Sequence, residues 1–317
     1  MSIKVLGTGA YVPEKIVTND DLTKLVDTSD EWIMQRVGVR QRRVSEGETA
    51  ADFAVKASLE ALANANIAPE DIDLIIAATI SSDSICPTVA GIVQKEIGAS
   101  CPAFDLNSAC SGFMFALDTA VSYIVRGAAK NVLVIGAERL SKIVDWTDRS
   151  TCVIFGDGAG AFVVTKGDGY LSSRLYTNGG FDVIEIPSYI GTSPFFKGEE
   201  KKPVIFMDGQ ETFKFAVNKI VEDIKYAAEE AGITLDDIDF VVPHQANIRI
   251  IDFASKRLGI PKEKFFVNID KYGNTSSASV PVAMAELDAS GKLKRGDIVA
   301  LCAFGGGLSS GVCIIKW

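Results

Sequence analysis

The apolar residues Phe113, Leu117, Ala120, Val121 and Ile124 recur at spacings of three and four, which places them on one face of an α-helix. Gly127 stands just beyond, where a left-handed residue would end it. The segment Phe104 to Phe113 therefore reads as a short strand, a tight turn, and a helix that begins near Cys110. Asn247 to Leu258 reads as another helix, stopped by Gly259 and Pro261. Two short, mainly apolar runs read as strands instead: Ile238 to Val242, and Phe265 to Ile269 ahead of a loop and a helical stretch ending near Gly291. Ile298 to Ile315 is an uncharged run of 18 residues, long enough to raise the question of a membrane span. Gly305, Gly306, Gly307, Ser309, Ser310 and Gly311 break it in the middle, so two buried strands joined by a glycine-rich turn are expected.

The pattern repeats. Ala65-Asn-Ile-Ala-Pro-Glu-Asp-Ile-Asp-Leu-Ile-Ile76 parallels Ala231-Gly-Ile-Thr-Leu-Asp-Asp-Ile-Asp-Phe-Val-Val242 at an offset of 166 residues. Phe53-Ala-Val55 and Phe215-Ala-Val217 open the amphipathic segments before the two copies, and Gly160 to Val164 matches Gly311 to Ile315 as a closing strand. Two similar α/β halves, each unable to cover its sheet alone, imply pseudo-twofold packing around buried helices.

Three junctions carry candidate chemistry. His244, the only histidine of the chain, follows the apolar run 238–242 in Pro243-His-Gln-Ala-Asn247. A single imidazole excludes any mechanism that needs two. Cys110 sits at the expected start of a helix, where unsatisfied N–H groups and the positive dipole end favour thiolate and are expected to lower its pKa. An unpaired cysteine also serves as a small buried hydrophobe, the reading given to Cys86, Cys101, Cys152, Cys302 and Cys313. Asn274, beside Gly273, falls in a loop; on its own the pair is an ordinary turn. All three residues are read at strand-to-helix junctions, where α/β folds gather their active sites.

At 47% hydrophobic and 23% charged, the composition is that of a compact globular chain rather than a disordered or fibrous one. Six cysteines without C-x-x-C spacing and with one histidine make a zinc cluster a poor reading, and a cysteine nucleophile points to a reducing, cytosolic setting. Residues 1–7 contain no long apolar segment, so no signal peptide is expected. The net charge is −9. An acidic partner would need a local basic patch: Arg249 and Lys256, seven residues apart, share a helix face with Arg257 adjacent and Asp252 softening it. By itself that is also the pattern of an ordinary solvated face.

Together, Asn107-Ser-Ala-Cys-Ser-Gly-Phe113, Pro243-His-Gln-Ala-Asn247, Gly273-Asn-Thr-Ser-Ser-Ala-Ser279 and Phe304-Gly-Gly-Gly-Leu308 resemble the motifs of β-ketoacyl-[acyl-carrier-protein] synthase III. The resemblance runs from Gly7-Thr-Gly-Ala-Tyr-Val-Pro-Glu14 to Trp317. It implies an α/β chain with the five-layered αβαβα thiolase fold, divided into halves 1–166 and 167–317, with Cys110 from the first and His244 and Asn274 from the second. It implies condensation of a short acyl-coenzyme A primer with malonyl-[acyl-carrier-protein] in fatty acid biosynthesis, with the backbone N–H groups of Cys110 and Gly306 as oxyanion hole. Priming of a polyketide or secondary-metabolite pathway by the same fold is the alternative. Coenzyme A enters as a thioester substrate; no metal or other cofactor, no nucleic acid and no membrane is implied. Trp32 and Arg149 resemble the pair bracketing the adenine, and Thr28, Arg36, Gly209, Phe213, Ala246 and Asn247 match other positions around the tunnel. Lys214, Arg249, Lys256 and Arg257 match the carrier-protein contact. A homodimer is implied, with Cys86 from the twin subunit at the pocket floor. One departure is Leu308-Ser309-Ser310-Gly311, where relatives often have Thr-Trp in place of the serines, which leaves the local packing open.

Rival readings need other residues. Elongating synthases use two histidines, thiolases a second catalytic cysteine, and hydroxymethylglutaryl-coenzyme A synthases a glutamate base that the segment around Cys110 does not offer. A catalytically silent fold-mate would have little reason to keep cysteine, histidine and asparagine together.

Overall fold

A computed structural model describes residues 2–187, 194–195, 197–198 and 201–317, so Met1 and parts of the 188–200 segment lie outside it. Strands β1 (Ser2–Tyr11), β2 (Leu74–Ala78), β3 (Ala103–Leu106), β4 (Asn131–Glu138) and β5 (Gly158–Gly167) form one sheet in the order β1-β5-β4-β2-β3. β2 runs parallel to β3 and β4, and β5 runs antiparallel to β4 and β1. Strands β6 (Tyr170–Thr177), β7 (Phe240–Pro243), β8 (Ile298–Gly305) and β9 (Ser309–Lys316) form a second sheet ordered β7-β8-β9-β6. There β7 is parallel to β8 and the other pairs are antiparallel.

Alternation along the strands builds the layers, because successive side chains of a strand point to opposite faces. Leu74, Ile76 and Ala78 of β2 face a central core with Phe113 and Leu117 of α3 (Gly112–Val125) and Val280 and Met284 of α6 (Ser279–Ala289). Ile75 and Ala77 face outward onto Phe53 and Ala57 of α1 (Ala50–Ala65) and Val89 and Val93 of α2 (Val89–Ile97). In the second sheet, Val299, Leu301 and Ala303 of β8 join the central core. Ala300, Cys302 and Phe304 meet Ile220 and Ile224 of α4 (Gly209–Glu230) and Ile250 and Ala254 of α5 (Ile248–Leu258). The result is the expected helix, sheet, helix, sheet, helix stack. Strands buried on both faces read as unbroken apolar runs, and this is why they carried no alternation in the sequence.

The repeat is visible as matching elements. Short 3₁₀ turns Pro69–Asp71 and Leu235–Asp237 precede β2 and β7, each at the 166-residue offset. β8 and β9 are the two buried strands expected over 298–315, joined by the glycine turn. Among the described residues no helix is long and apolar enough to cross a membrane. One expected strand fails: Phe265 makes a single isolated bridge to Val241, and Ile269–Tyr272 is a short helix. The apolar side chains there, Phe265 and Ile269 among them, are drawn into two different cores rather than into a ladder. Asn274 consequently lies between two helical turns, not at a strand-to-helix junction.

Candidate active site

Cys110 lies where β3 passes into α3. Asn107 Oδ1 accepts from the Ala109 N–H at 3.1 Å, and the Ser111 hydroxyl donates to the Ser108 carbonyl at 2.8 Å. Between them Ala109 is held at φ 48°, a left-handed conformation uncommon for a residue with a Cβ. Ala109–Ser111 form a 3₁₀ turn and the α-helix proper starts at Gly112. The thiol does not behave as its position suggests. Burial pushes it up to about 12, opposed by the neighbouring Ser276 hydroxyl and reinforced by the carboxyl of Glu138. Lost hydration acts on the sulfur directly, whereas the helix-terminal field reaches it through an intervening turn. Burial thus opposes the depression expected from the helix terminus.

His244 caps β7. Its N–H donates to the Cys302 carbonyl at 2.7 Å, and its ring stands edge-on to Phe304 with centroids 5.2 Å apart. Only 2% exposed, the imidazole is held by burial down to about 3 and is neutral near pH 7. Nδ1 is 2.5 Å from the Ser279 hydroxyl, which leaves Nε2 for other partners. Asn274 is fixed through its backbone: its N–H donates to the Ile154 carbonyl at 2.9 Å and its carbonyl accepts from Gly156 at 3.0 Å. Its Oδ1 accepts from the Ser276 N–H at 2.8 Å, so the carboxamide meets a ligand with its NH₂ group.

These three residues line one cavity of about 170 Å³, together with Gly209, Phe213, Ala246, Asn247 and Gly306. Its inner wall is apolar, with Ile80, Leu140, Ile186, Ile205 and Met207. A thiol, a neutral imidazole and a donor amide converge on a space with little else to titrate, a set suited to acyl transfer and to stabilising an enolate.

The profile of the 3-oxoacyl-[acyl-carrier-protein (ACP)] synthase III family matches residues 104–179, and that of the synthase III C terminal matches residues 228–317. β-Ketoacyl-[acyl-carrier-protein] synthase III of Clostridium acetobutylicum is 51% identical, over 100% of this chain and 99% of its own. The chain belongs to the β-ketoacyl-[acyl-carrier-protein] synthase III family. A crystal structure of the Aquifex aeolicus 3-oxoacyl-[acyl-carrier-protein] synthase III superposes with a TM-score of 0.93 at 47% identity, covering 99% of this chain and 100% of that one. A priming β-ketosynthase from a polyketide biosynthetic pathway superposes with a TM-score of 0.92 at 36% identity, covering 99% and 96%. The fold is the thiolase fold of these synthase III structures.

In this synthase III chain the remaining candidates lie outside the cavity wall. Arg149 stacks its guanidinium 4.9 Å from the Trp32 ring centre, with Arg36 at 5.9 Å, and Arg149 Nη1 donates to the Asp27 carbonyl at 2.7 Å. Asn247 Nδ2 donates to the Arg36 carbonyl at 3.1 Å and its Oδ1 caps α5, which ties this cluster to the cavity that Asn247 lines. The hydroxyl of Thr28 is buried without a hydrogen-bond partner among the described residues. Arg249, Lys256 and Arg257 are exposed on α5. Arg249 reaches over Phe213, and Arg257 over Phe253. Asp252, on the same helix, pairs with Lys262 at 2.5 Å. Lys214 is paired with Glu211 at 2.6 Å.

The serines that depart from the family pattern are both bonded. Ser309 Oγ lies 2.8 Å from the Gly306 carbonyl and 2.8 Å from Ser111 Oγ and donates its one hydrogen to one of them, at the meeting of the glycine turn and the start of α3. Ser310 donates at 2.6 Å to buried Asp223, which Lys219 and Arg174 approach to 3.5 and 3.6 Å. The sequence reading missed Ser279, Ser276 and Glu138. The available signal was a cluster of hydroxyls opening an apolar helix; Glu138, wholly buried at the end of β4, gave none.

Proposed function

We propose that this chain catalyses the initiating decarboxylative condensation of fatty acid biosynthesis, joining a short acyl-coenzyme A primer to malonyl-[acyl-carrier-protein] to give a β-ketoacyl-[acyl-carrier-protein]. The observation that carries this reading is the single cavity holding the Cys110 sulfur, a neutral His244 and an Asn274 amide whose oxygen is already engaged. The polyketide-priming alternative is not favoured, since the relatives of higher identity are synthase III enzymes.

Cys110 sulfur attacks the acyl carbonyl carbon, and the backbone N–H groups of Cys110 and Gly306 receive the charge that develops on oxygen. Collapse breaks the bond to the coenzyme A sulfur, which leaves with the proton that the thiol gave up. The malonyl thioester then loses carbon dioxide, and the electron pair of the broken carbon–carbon bond becomes an enolate. Its oxygen accepts from His244 Nε2 and Asn274 Nδ2. The enolate carbon attacks the acyl carbon, and the Cys110 sulfur departs and takes up one proton. Coenzyme A is a substrate in this scheme, and no other cofactor enters its balance.

In this reading the adenine stacks at Trp32 and Arg149, the tunnel runs past Thr28, Arg36, Gly209, Phe213, Ala246 and Asn247, and the acidic carrier protein meets Lys214, Arg249, Lys256 and Arg257. The active protein is a cytoplasmic homodimer. Its support is the edge strand β3, which among the described residues pairs on one side only, and the loop where Ile85 is 97% exposed beside exposed Cys86. We divide the chain at 166/167, at the end of β5 just before the turn into β6. The deciding experiment is mass spectrometry after incubation with acetyl-coenzyme A. Wild type and His244→Ala carry an acetyl group on the Cys110 peptide, Cys110→Ala carries none, and only wild type consumes malonyl carrier protein at a useful rate. An acetylated Cys110→Ala protein would sink the assignment.

A further inference from the structure

Ser279 opens α6 with its side chain buried, 2% exposed, and its Oγ is 2.5 Å from His244 Nδ1. The same Oγ accepts, at 3.4 Å, from the N–H of Gln245. Counting protons settles the direction of the shorter bond. A hydroxyl has one hydrogen and two lone pairs. If Nδ1 carried the ring proton, Oγ would receive two N–H groups and its own hydrogen would be buried without an acceptor among the hydrogen bonds of the described residues. With the ring proton on Nε2, the Gln245 N–H donates to Oγ, Oγ–H donates to Nδ1, and every group has a partner.

We infer that Ser279 is a positioning residue that fixes His244 as its Nε2–H tautomer, so that the imidazole reaches the cavity only as a hydrogen-bond donor. Phe304, edge-on at 5.2 Å, limits rotation of the ring, and Gln245 is itself anchored: its Nε2 donates to the Pro243 carbonyl at 2.7 Å and its Oε1 accepts from the Asn268 N–H at 3.0 Å. The histidine, its neighbour and the start of α6 therefore form one rigid unit. Resting on the two half-reactions proposed above, the inference divides the labour within them. An Nε2 that already bears a proton cannot accept the one from Cys110, so His244 serves the enolate and not the activation of the thiol. A ring free to exchange tautomers would present a lone pair to the enolate oxygen for part of the time.

Because the chain has one histidine, imidazole ¹⁵N NMR of uniformly labelled, unliganded protein reads this tautomer without assignment. The expected wild-type spectrum at neutral pH is that of a neutral ring with a protonated nitrogen at Nε2 and a bare one at Nδ1. A protonated Nδ1, or a mixture of the two forms, overturns the proposal, and this arm needs no variant. In Ser279→Ala the spectrum should shift toward Nδ1–H or exchange, and the ratio of malonyl decarboxylation to Cys110 acetylation should fall about tenfold, the lower end of the cost of removing the orienting partner of a metal-bound histidine. A variant with unchanged spectrum and unchanged ratio refutes it too. Failure of wild type to acetylate at Cys110 would count against the condensation itself and leave the tautomer result standing.

Discussion

Gly305 lies against Cys110 so closely that a Cβ built on it would sit 2.6 Å from the Cys110 backbone nitrogen and 2.9 Å from the Cys110 Cβ. Gly305 ends β8 of one sheet, Cys110 lies in the turn that follows β3 of the other, and their contact is where the two meet. No side chain fits between them.

Gly305→Ala should therefore force the two backbones apart. Overpacking of this kind costs about 1–3 kcal/mol, and displacement of the Cys110 N–H should slow acetylation by more than about tenfold, as loss of an oxyanion donor does. Urea denaturation and the acetylation rate check it together. A variant that matches wild type in both would mean that the turns slide apart freely.

The raised Cys110 thiol makes a distinct prediction. Thiolate is the reactive form, so alkylation of Cys110 by iodoacetamide should keep rising with pH, by about tenfold per unit, from pH 6 to 9, since the thiol titrates only near 12. Exposed Cys86 would mask this, and the measurement belongs in a Cys86→Ala background with the modified peptide identified by mass. A plateau below pH 8 would show that the helix-terminal field wins over burial.

The Cys110 case also shows what could not be read from the chain. That a cysteine, a histidine and an asparagine stand in loops next to apolar elements is a local property, visible in residue order. How much water the sulfur keeps is not, because Gly305, Asn274 and Ser276 arrive from more than 160 residues away and close over it. The same limit explains Ala109 and Ser276, which hold φ near +50° without being glycine. The layers were legible because the 166-residue repeat and the broken run at 305–311 are both sequence patterns. The strand expected at 265–269 was not a strand, because apolar residues facing two cores look like a buried strand until their partners are known.

His244 links the site to stability. Its pKa is about 3 in the folded protein, depressed by burial, against about 6.5 unfolded. A depressed base binds its proton only in the unfolded chain, so its contribution is complete above pH 6.5 and is lost as pH falls toward 3. The slope is about 1.4 kcal/mol per pH unit in that window. Half-buried Asp105 and buried Asp157, both raised by lost hydration, act in the opposite sense. The informative quantity is therefore the difference between wild type and His244→Gln by urea titration, in which they cancel. That difference should shrink by about 1.4 kcal/mol per unit from pH 6 to 4; parallel curves would show that His244 titrates normally.

The basic face of α5 should act at a distance. Arg249, Lys256 and Arg257 are exposed, and Arg249 reaches over Phe213 at the cavity, so they can steer an acidic carrier protein while the chain as a whole carries −9. Lys214 should add less, since Glu211 already neutralises it across an exposed pair. Replacing Arg249, or Lys256 and Arg257 together, with glutamate should slow use of malonyl carrier protein by about tenfold or more at low salt, in the range by which complementary charge raises association rates. Acetylation by acetyl-coenzyme A should change far less. Salt should reproduce the defect in wild type, because screening over roughly 10 Å at 0.1 M removes the attraction without touching the site. Equal losses in both half-reactions would point to damage at the neighbouring Ala246 and Asn247, and no loss in either would make this an ordinary solvated helix face.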